Sequence, residues 1–371
     1  MNASEALEDV LIGRDIDIMR LEAELQRSTL AELRKLEKDL QAALRATDPT
    51  GPRYLGAQMR RLTRFLDEVR DQIRRVYGGI ARDLERQEEE AIEIESDYLG
   101  EVFAGVVGFN LIRRGIRKRR AKEMVQDQLV QGAAPKEHWK RQGSNLLRRL
   151  GDQLRQGVQQ AESITQLVAR AIGTRAQNFA NGLMRVSERE AESLIQTSLS
   201  QVITGTRDEL YGEMKDLLSG RQAINPLDFR TSTICRARAG RAWRMNGAPF
   251  PGTGTVERFP GPPPWHFRCR TTLIPIIRSY KQLLDSGALS ESQHQQLLDM
   301  AEAKKVALDG KPATGVTFDT WFNRLSKEEQ RKAVGPGRLE LWEKGAIRAT
   351  DLIDQRGRPL TLEQLRSKNS K

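Results

Sequence analysis

Residues 226–275 read PLDFRTSTICRARAGRAWRMNGAPFPGTGTVERFPGPPPWHFRCRTTLIP. Eight of the chain's fourteen prolines fall here, with glycines at 240, 247, 252, 254 and 261. Proline lacks a backbone N–H and fixes φ, so long helices are forbidden in this stretch and short strands and turns are expected. The flanking sequence reads differently. From Asp15 to about Ala46, Leu33, Leu36, Leu40 and Leu44 recur at three- and four-residue steps among polar residues, the pattern of a long amphipathic helix. The run from Asp48 to Pro52 ends it. A second long helix follows through Leu62, Leu66, Val69 and Ile73, with a break expected at Gly78-Gly79. Helical spacing returns at Leu154, Val158, Ala161 and Val168, and again from Ala191 to Ile203, where Ser187 and Glu190 have capping-box spacing. After Tyr280 three more such pairs, Ser290/Gln293, Ser326/Glu329 and Thr361/Gln364, mark short helices.

The expected fold is therefore mostly α and multi-domain: long amphipathic helices plus a small Pro/Gly-rich α+β module. Composition divides the chain into an N-terminal helical region 1–110, a basic helical middle region 111–220, the module 221–285 and a C-terminal helical tail 286–371. In the tail, Trp321, Phe322, Leu325, Leu341, Trp342, Leu352, Ile353 and Leu362 concentrate more apolar surface than a solvated end needs, so Phe318 to Arg366 is expected to dock.

Among 371 residues, 61 Lys and Arg oppose 50 Asp and Glu, a formal net charge of +11 that suits polyanionic surroundings. Aromatics at 5% favour polar helices over an aromatic β core. The longest apolar run, Val102 to Phe109, is about half what a bilayer-crossing helix needs, so no membrane partner is expected. Glu5, Glu8, Asp9, Asp15 and Asp17 stand where a signal peptide would be basic and then apolar. Two cysteines exclude a disulfide scaffold and fit a reducing cytoplasm.

Charge is separated into blocks. Residues 83–97 hold eight acids against the single base Arg86. Residues 113–122 reverse this with Arg113, Arg114, Arg117, Lys118, Arg119, Arg120 and Lys122 and no acid. These seven bases are candidates for contact with nucleic acid or an acidic partner surface. The alternatives are plain solvation or pairing with the acidic block.

Both cysteines and one of three histidines lie in the module. His266-x-x-Cys269 can place two ligands on one metal, with Cys235 as a third and Asp228 as a hard fourth. A Cys235 to Cys269 disulfide is a second outcome, and two buried thiols beside a hydrogen-bonded His266 are a third. With few apolar residues nearby, the module's fold is expected to depend on Asp228, Arg230, Cys235, His266 and Cys269. His138 and His294 sit in polar helical surroundings and read as surface positions. There is no Gly-x-Ser-x-Gly elbow, His-Glu-x-x-His helix or phosphate loop.

The order Asp228-x-Arg230-Thr231-Ser232-x-x-Cys235-Arg236, Gly240, a Pro-rich loop, then Pro-Pro-x-His266-x-x-Cys269-Arg270 leading to Pro275 resembles the signature domain of the Mu F-like phage head morphogenesis family, the minor head proteins of tailed phages. Trp321-Phe322, Gly335-x-x-Arg338-x-x-Leu341, Gly345, Asp351-Leu352 and Gly357-Arg358-x-Leu360-Thr361-Leu362 are similar to the segment often found after that domain. The resemblance covers about residues 150–371, whereas the helices before Gly100 match no family we can name. It implies a non-enzymatic capsid-assembly protein beside the portal and inside the head. The implied partners are portal protein, major capsid or scaffolding protein and packaged DNA, and the implied location is the virion, after assembly in the host cytoplasm.

Many relatives have Cys-x-x-Cys at the start of the module and Cys-x-Cys at its end. Here Ser232 and Thr271 occupy the additional positions, which excludes a four-cysteine zinc site and leaves Cys235, His266 and Cys269 as the set that zinc could use. The Arg-Thr-Glu often found in the preceding helix is replaced by Gln196-Thr197-Ser198. The competing reading is an enzyme, a metal-assisted nuclease or toxin-like domain built on Cys235, His266 and Cys269, and it lacks a nearby His or Glu general base. A plain DNA-binding protein is a third reading, without a helix-turn-helix, zinc-finger or stacking-aromatic signature.

Overall fold

The computed structural model describes residues 2–107, 115–173, 182–287, 290–304, 309–313, 317–354 and 359–368. Among them the chain is mostly helical, with one small antiparallel sheet. No helix among the described residues is long and apolar enough to cross a membrane. The two long helices are α1 (Ala3–Thr47) and α2 (Leu55–Val107). Asp48 stops the first, its carboxylate accepting from Thr50 N–H at 3.2 Å just where Pro49 could not continue a helix. No break occurs at Gly78-Gly79, because α2 runs through both. An interior glycine costs about 1 kcal/mol relative to alanine, and the buried stripe Val69, Ile73, Tyr77, Ile80 and Leu84 on both sides outweighs it.

After α2 come α3 (Lys118–Asp127), α4 (Pro135–Gln159), α5 (Ile164–Ile172) and α6 (Leu183–Glu213). The chain divides into two compact units, Met1–Asp17, Ala91–Ala121 and Ser200–Lys371 in one, Ile18–Glu90 and Lys122–Leu199 in the other. This differs from the four consecutive segments drawn from composition because α1, α2 and α6 each contribute residues to both units.

Among the described residues the second unit is built of helices, with one isolated bridge between Val130 and Ala133. Leu40 and Leu44 of α1, Phe65 of α2, Leu146 and Leu150 of α4 and Val168 of α5 close around one small apolar space. Proline in the first turn starts α4, and a Ser163/Gln166 capping box starts α5. Ser187 is not a cap: α6 begins at Leu183, and buried Met184 extends its apolar face N-terminal to Ser187. Glu88, fully buried, accepts from Gln128 Nε2 at 2.7 Å and from Ser198 Oγ. Burial pushes its carboxyl up to about 7, against the pull of both hydrogen bonds.

The first unit carries the module. Strands β1 (Leu218–Ile224), β2 (Ala242–Arg244) and β3 (Thr272–Ile277) form a sheet in the order β2-β1-β3, with Arg221 opposite Trp243 and Gln222 opposite Ile274. Pro275 is tolerated because β3 is an edge strand. Between β1 and β2 lies the short helix α7 (Thr233–Arg238). The tail follows as α8 (Tyr280–Asp285), α9 (Glu291–Lys304), α10 (Phe318–Phe322), α11 (Lys327–Val334), α12 (Pro336–Glu343), a 3-10 turn at Ala349–Leu352, and α13 (Leu362–Lys368). All three capping pairs read after Tyr280 are formed. Phe318, Phe322, Val334, Leu339 and Ala349 pack with Ala239 at the end of α7, and Leu341, Ile347, Leu352 and Leu365 form a second cluster. Gly240, at φ +71°, leaves room for this docking, since a Cβ there would stand 3.0 Å from Thr317 Cγ2.

Two outcomes follow. Unfolded, a glutamate titrates near 4.5, so Glu88 favours the folded chain fully below that pH and the contribution is lost as pH rises through about 7. Glu88→Gln should therefore be more stable than wild type by about 3 kcal/mol near pH 8 and lose most of that advantage near pH 5; urea titrations at the two values read it, and a variant weakened equally at both would contradict it. Phe322→Ala should cost about 3–5 kcal/mol and open the tail after Thr317 to trypsin, which the intact chain should resist. Rapid loss of the wild-type tail would show that it is not docked.

Candidate metal centre

Helix α7 supplies one side of the cluster. Ser232 is its N-cap, accepting from Cys235 N–H at 3.2 Å, so the first turn of α7 presents both side chains together. The other side comes from residues 266–271, where the long loop returns to β3. Cys235 Sγ stands 3.0 Å from His266 Nε2 and 3.6 Å from Cys269 Sγ, and one donor atom from each of the three residues lies within 4.8 Å of the others. That spacing can hold one metal ion. Both cysteines are free and buried, at 3% and 2% exposure, and His266 is half-buried. Of the outcomes left open by the sequence, the disulfide is not formed: the three groups converge with both cysteines as free thiols.

Two hydroxyls complete the surroundings. Ser232 Oγ lies 2.7 Å from His266 Nε2, and Thr271 Oγ1 donates to Cys235 Sγ at 3.2 Å. His266 Nδ1 is 2.7 Å from the carbonyl of Phe267. A carbonyl only accepts, so Nδ1 carries the proton and Nε2 is left to face the sulfurs, the arrangement of a metal-ligating histidine. The hydrogen bond from Cys235 holds the Cys269 thiol well below its ordinary value, helped by His266 and opposed by burial. Cys235, the proton's keeper, is pushed up by the same bond and by burial. Cys269 in turn raises His266, against burial. The cluster is thus a site that stabilises negative sulfur next to an imidazole.

Asp228 is not a fourth ligand. Its carboxylate takes a two-point ion pair from Arg270, at 2.7 and 2.8 Å, and accepts from Arg230 N–H at 2.8 Å and from Thr231 Oγ1. Arg270 holds Asp228 below the usual carboxylate range. Arg230 contributes its backbone, while its side chain is exposed, so the residue that matters to Asp228 is Arg270, one past Cys269. Sequence reasoning missed Arg270, Ser232 and Thr271 as members of the site, although all three stand within the quoted motif. His138 lies elsewhere, with a ring nitrogen 2.8 Å from Val130 O.

No family model, no curated protein and no solved structure matches this chain.

Of the seven bases at 113–122, Arg113 and Arg114 lie outside the described residues. Arg117 pairs with Asp97 at 3.1 Å, the one link to the acidic block among these pairs, and Arg120 pairs twice with Glu209, at 2.9 and 2.8 Å. Lys118, Arg119 and Lys122 are exposed. The acidic block itself is not a uniform solvated face, because Glu88 and Glu95 are fully buried.

If the cluster clasps the loop to α7, both thiols should react with a thiol reagent only slowly in the native chain and completely in guanidinium. His266→Ala should speed the native reaction and lower the melting temperature. Full reaction of both native cysteines at the unfolded rate would contradict the burial on which the clasp rests.

Proposed function

We propose that the chain is a minor head protein of a tailed phage, a non-enzymatic assembly component of the Mu F-like type, with its module clasped by zinc through Cys235, His266 and Cys269. One observation carries the reading. Ser232 and Thr271, the two positions at which many relatives hold cysteine, both direct hydrogen bonds at this cluster. Ser232 stands three residues before Cys235 and Thr271 two after Cys269, so the cluster gathers every position of the cysteine pattern that the resemblance rests on.

The donors suit zinc, which takes thiolate and imidazole in four-coordinate sites. Two sulfurs bound at about 2.3 Å in a tetrahedron stand roughly 3.8 Å apart, close to the 3.6 Å between Cys235 and Cys269. His266 Nε2, 3.0 Å from Cys235 Sγ, would have to open to about 3.5 Å. Ser232 Oγ, 2.7 Å from His266 Nε2, is the further protein oxygen beside these three ligands. Zinc there would supply structure, because the sulfurs are buried and Asp228, the nearest acid in the motif, is engaged by Arg270 rather than poised as a base.

The partners that follow are portal protein and major capsid or scaffolding protein. Lys118 and Lys122, exposed on α3, would meet packaged DNA in the capsid interior or at the portal vertex. The test is gradient sedimentation of heads from a strain producing this chain. The chain should travel with heads and portal, and its zinc-loaded form should leave plasmid DNA intact. Absence from heads, together with DNA cleavage lost in Cys269→Ser, would replace this reading with the nuclease.

A further inference from the structure

Residues 66–85 of α2 and 136–155 of α4, all in the helical unit, line a groove of about 680 Å³. At about 1.5 Å per residue each wall is some 30 Å long, the length of a helix of about 20 residues. The floor is apolar. Leu66, Ile73, Tyr77 and Trp139 pack beneath it and are already buried, and Leu147 and Ala81 are the half-buried apolar side chains it leaves open. Gly143 lets α4 approach α2 there, since a Cβ would stand 3.2 Å from Tyr77 Cγ. The indole N–H of Trp139, 1% exposed, has no hydrogen-bond partner among the described residues.

Both rims are basic. Helix α2 contributes Arg70, Arg74 and Arg82, and α4 contributes Lys136, Lys140, Arg148 and Arg155, all exposed, against the single lining acid Glu85. Four of these bases lean on acids of their own helix, Asp67, Asp71 and Asp152, in exposed pairs that hold little energy. Arg82, Lys136 and Lys140 have no acid partner among the described residues.

We propose that this groove docks an acidic amphipathic helix of a partner protein. The floor decides between a helix and nucleic acid. Phosphates would neutralise the rims but gain nothing from the apolar Ala81 and Leu147 between them. An amphipathic helix buries its apolar stripe on that floor and sets acids against both rims at once. The inference stands on the helical unit alone, independent of the metal cluster and of the phage reading.

Fluorescence anisotropy with the full chain tests it, using three labelled probes: a peptide of about 20 residues with leucine at i, i+3, i+4 and i+7 and glutamate on both flanks, its lysine-for-glutamate twin, and a short duplex DNA. Two variants block the groove, the triple reversal Arg82→Glu, Lys136→Glu, Lys140→Glu, and Ser144→Trp, which fills the floor from an exposed lining position. The control reversal Lys35→Glu, Arg60→Glu, Arg141→Glu changes charge equally on exposed residues outside the groove. With melting temperatures unchanged, the acidic peptide should bind in the micromolar range and weaken by about tenfold or more in both groove variants. The control should bind as wild type, and the lysine twin should not bind. Three results would overturn the proposal: no binding of the acidic peptide, binding unaffected by both groove variants, or rim-dependent binding of DNA alone.

Discussion

A single buried guanidinium holds the sheet and the cluster in place. Arg207 of α6 is fully buried; its Nε donates to Glu95 Oε1 at 2.6 Å, and Nη1 reaches Asp15 at 2.9 Å and Thr272 Oγ1. Arg14 adds a second cation on Glu95 at 2.8 Å. Burial opposes the charge on Arg207, but Glu95 and Asp15 outweigh it and keep the group above its ordinary value. Segments of α1, α2, α6 and β3 therefore meet at one charge. Because Thr272 opens β3, its neighbour Thr271 is delivered to Cys235 Sγ. Stranding such a charge costs about 3–5 kcal/mol, so the network fixes the path of the chain more than it adds net stability.

The two units solve the problem of cohesion differently. The helical unit is held chiefly by buried leucine stripes, with Glu88, Gln128 and Ser198 as a small polar cluster within it. The module has a loop, 245–271, without regular structure, and holds it by polar and aromatic contacts: Arg238 pairs with Glu257 at 2.7 Å and lies 4.4 Å over the Trp265 ring, and Trp243 Nε1 donates to the Glu257 carbonyl at 3.0 Å. These contacts fasten the outer loop. The thiol and imidazole cluster fastens its root, where the chain turns back into β3.

How much of this was legible follows the same division. Leucine spacing in α1, the stop at Asp48 and the capping pairs of the tail are local signals, and they read correctly. Gly78-Gly79 misled because propensity is local while the stripe that overrides it runs for about four turns. Ser187 misled because capping-box spacing also occurs within a helix. In the site, Cys235, His266 and Cys269 were legible as the scarce chemistry of the chain, and they do converge. The motif places Arg230 beside Asp228, but the side chain that binds Asp228 is Arg270, from the far end of the loop. The Arg207 network drew on residues nearly 200 positions apart in pairs too ordinary in type to stand out.

Zinc-edge X-ray absorption on the purified full chain tests the clasp most directly. A shell of two sulfurs at about 2.3 Å with nitrogen or oxygen at about 2.0–2.1 Å is expected, reduced to one sulfur in Cys269→Ser. A shell of oxygen and nitrogen alone would contradict a zinc clasp built on Cys235, His266 and Cys269.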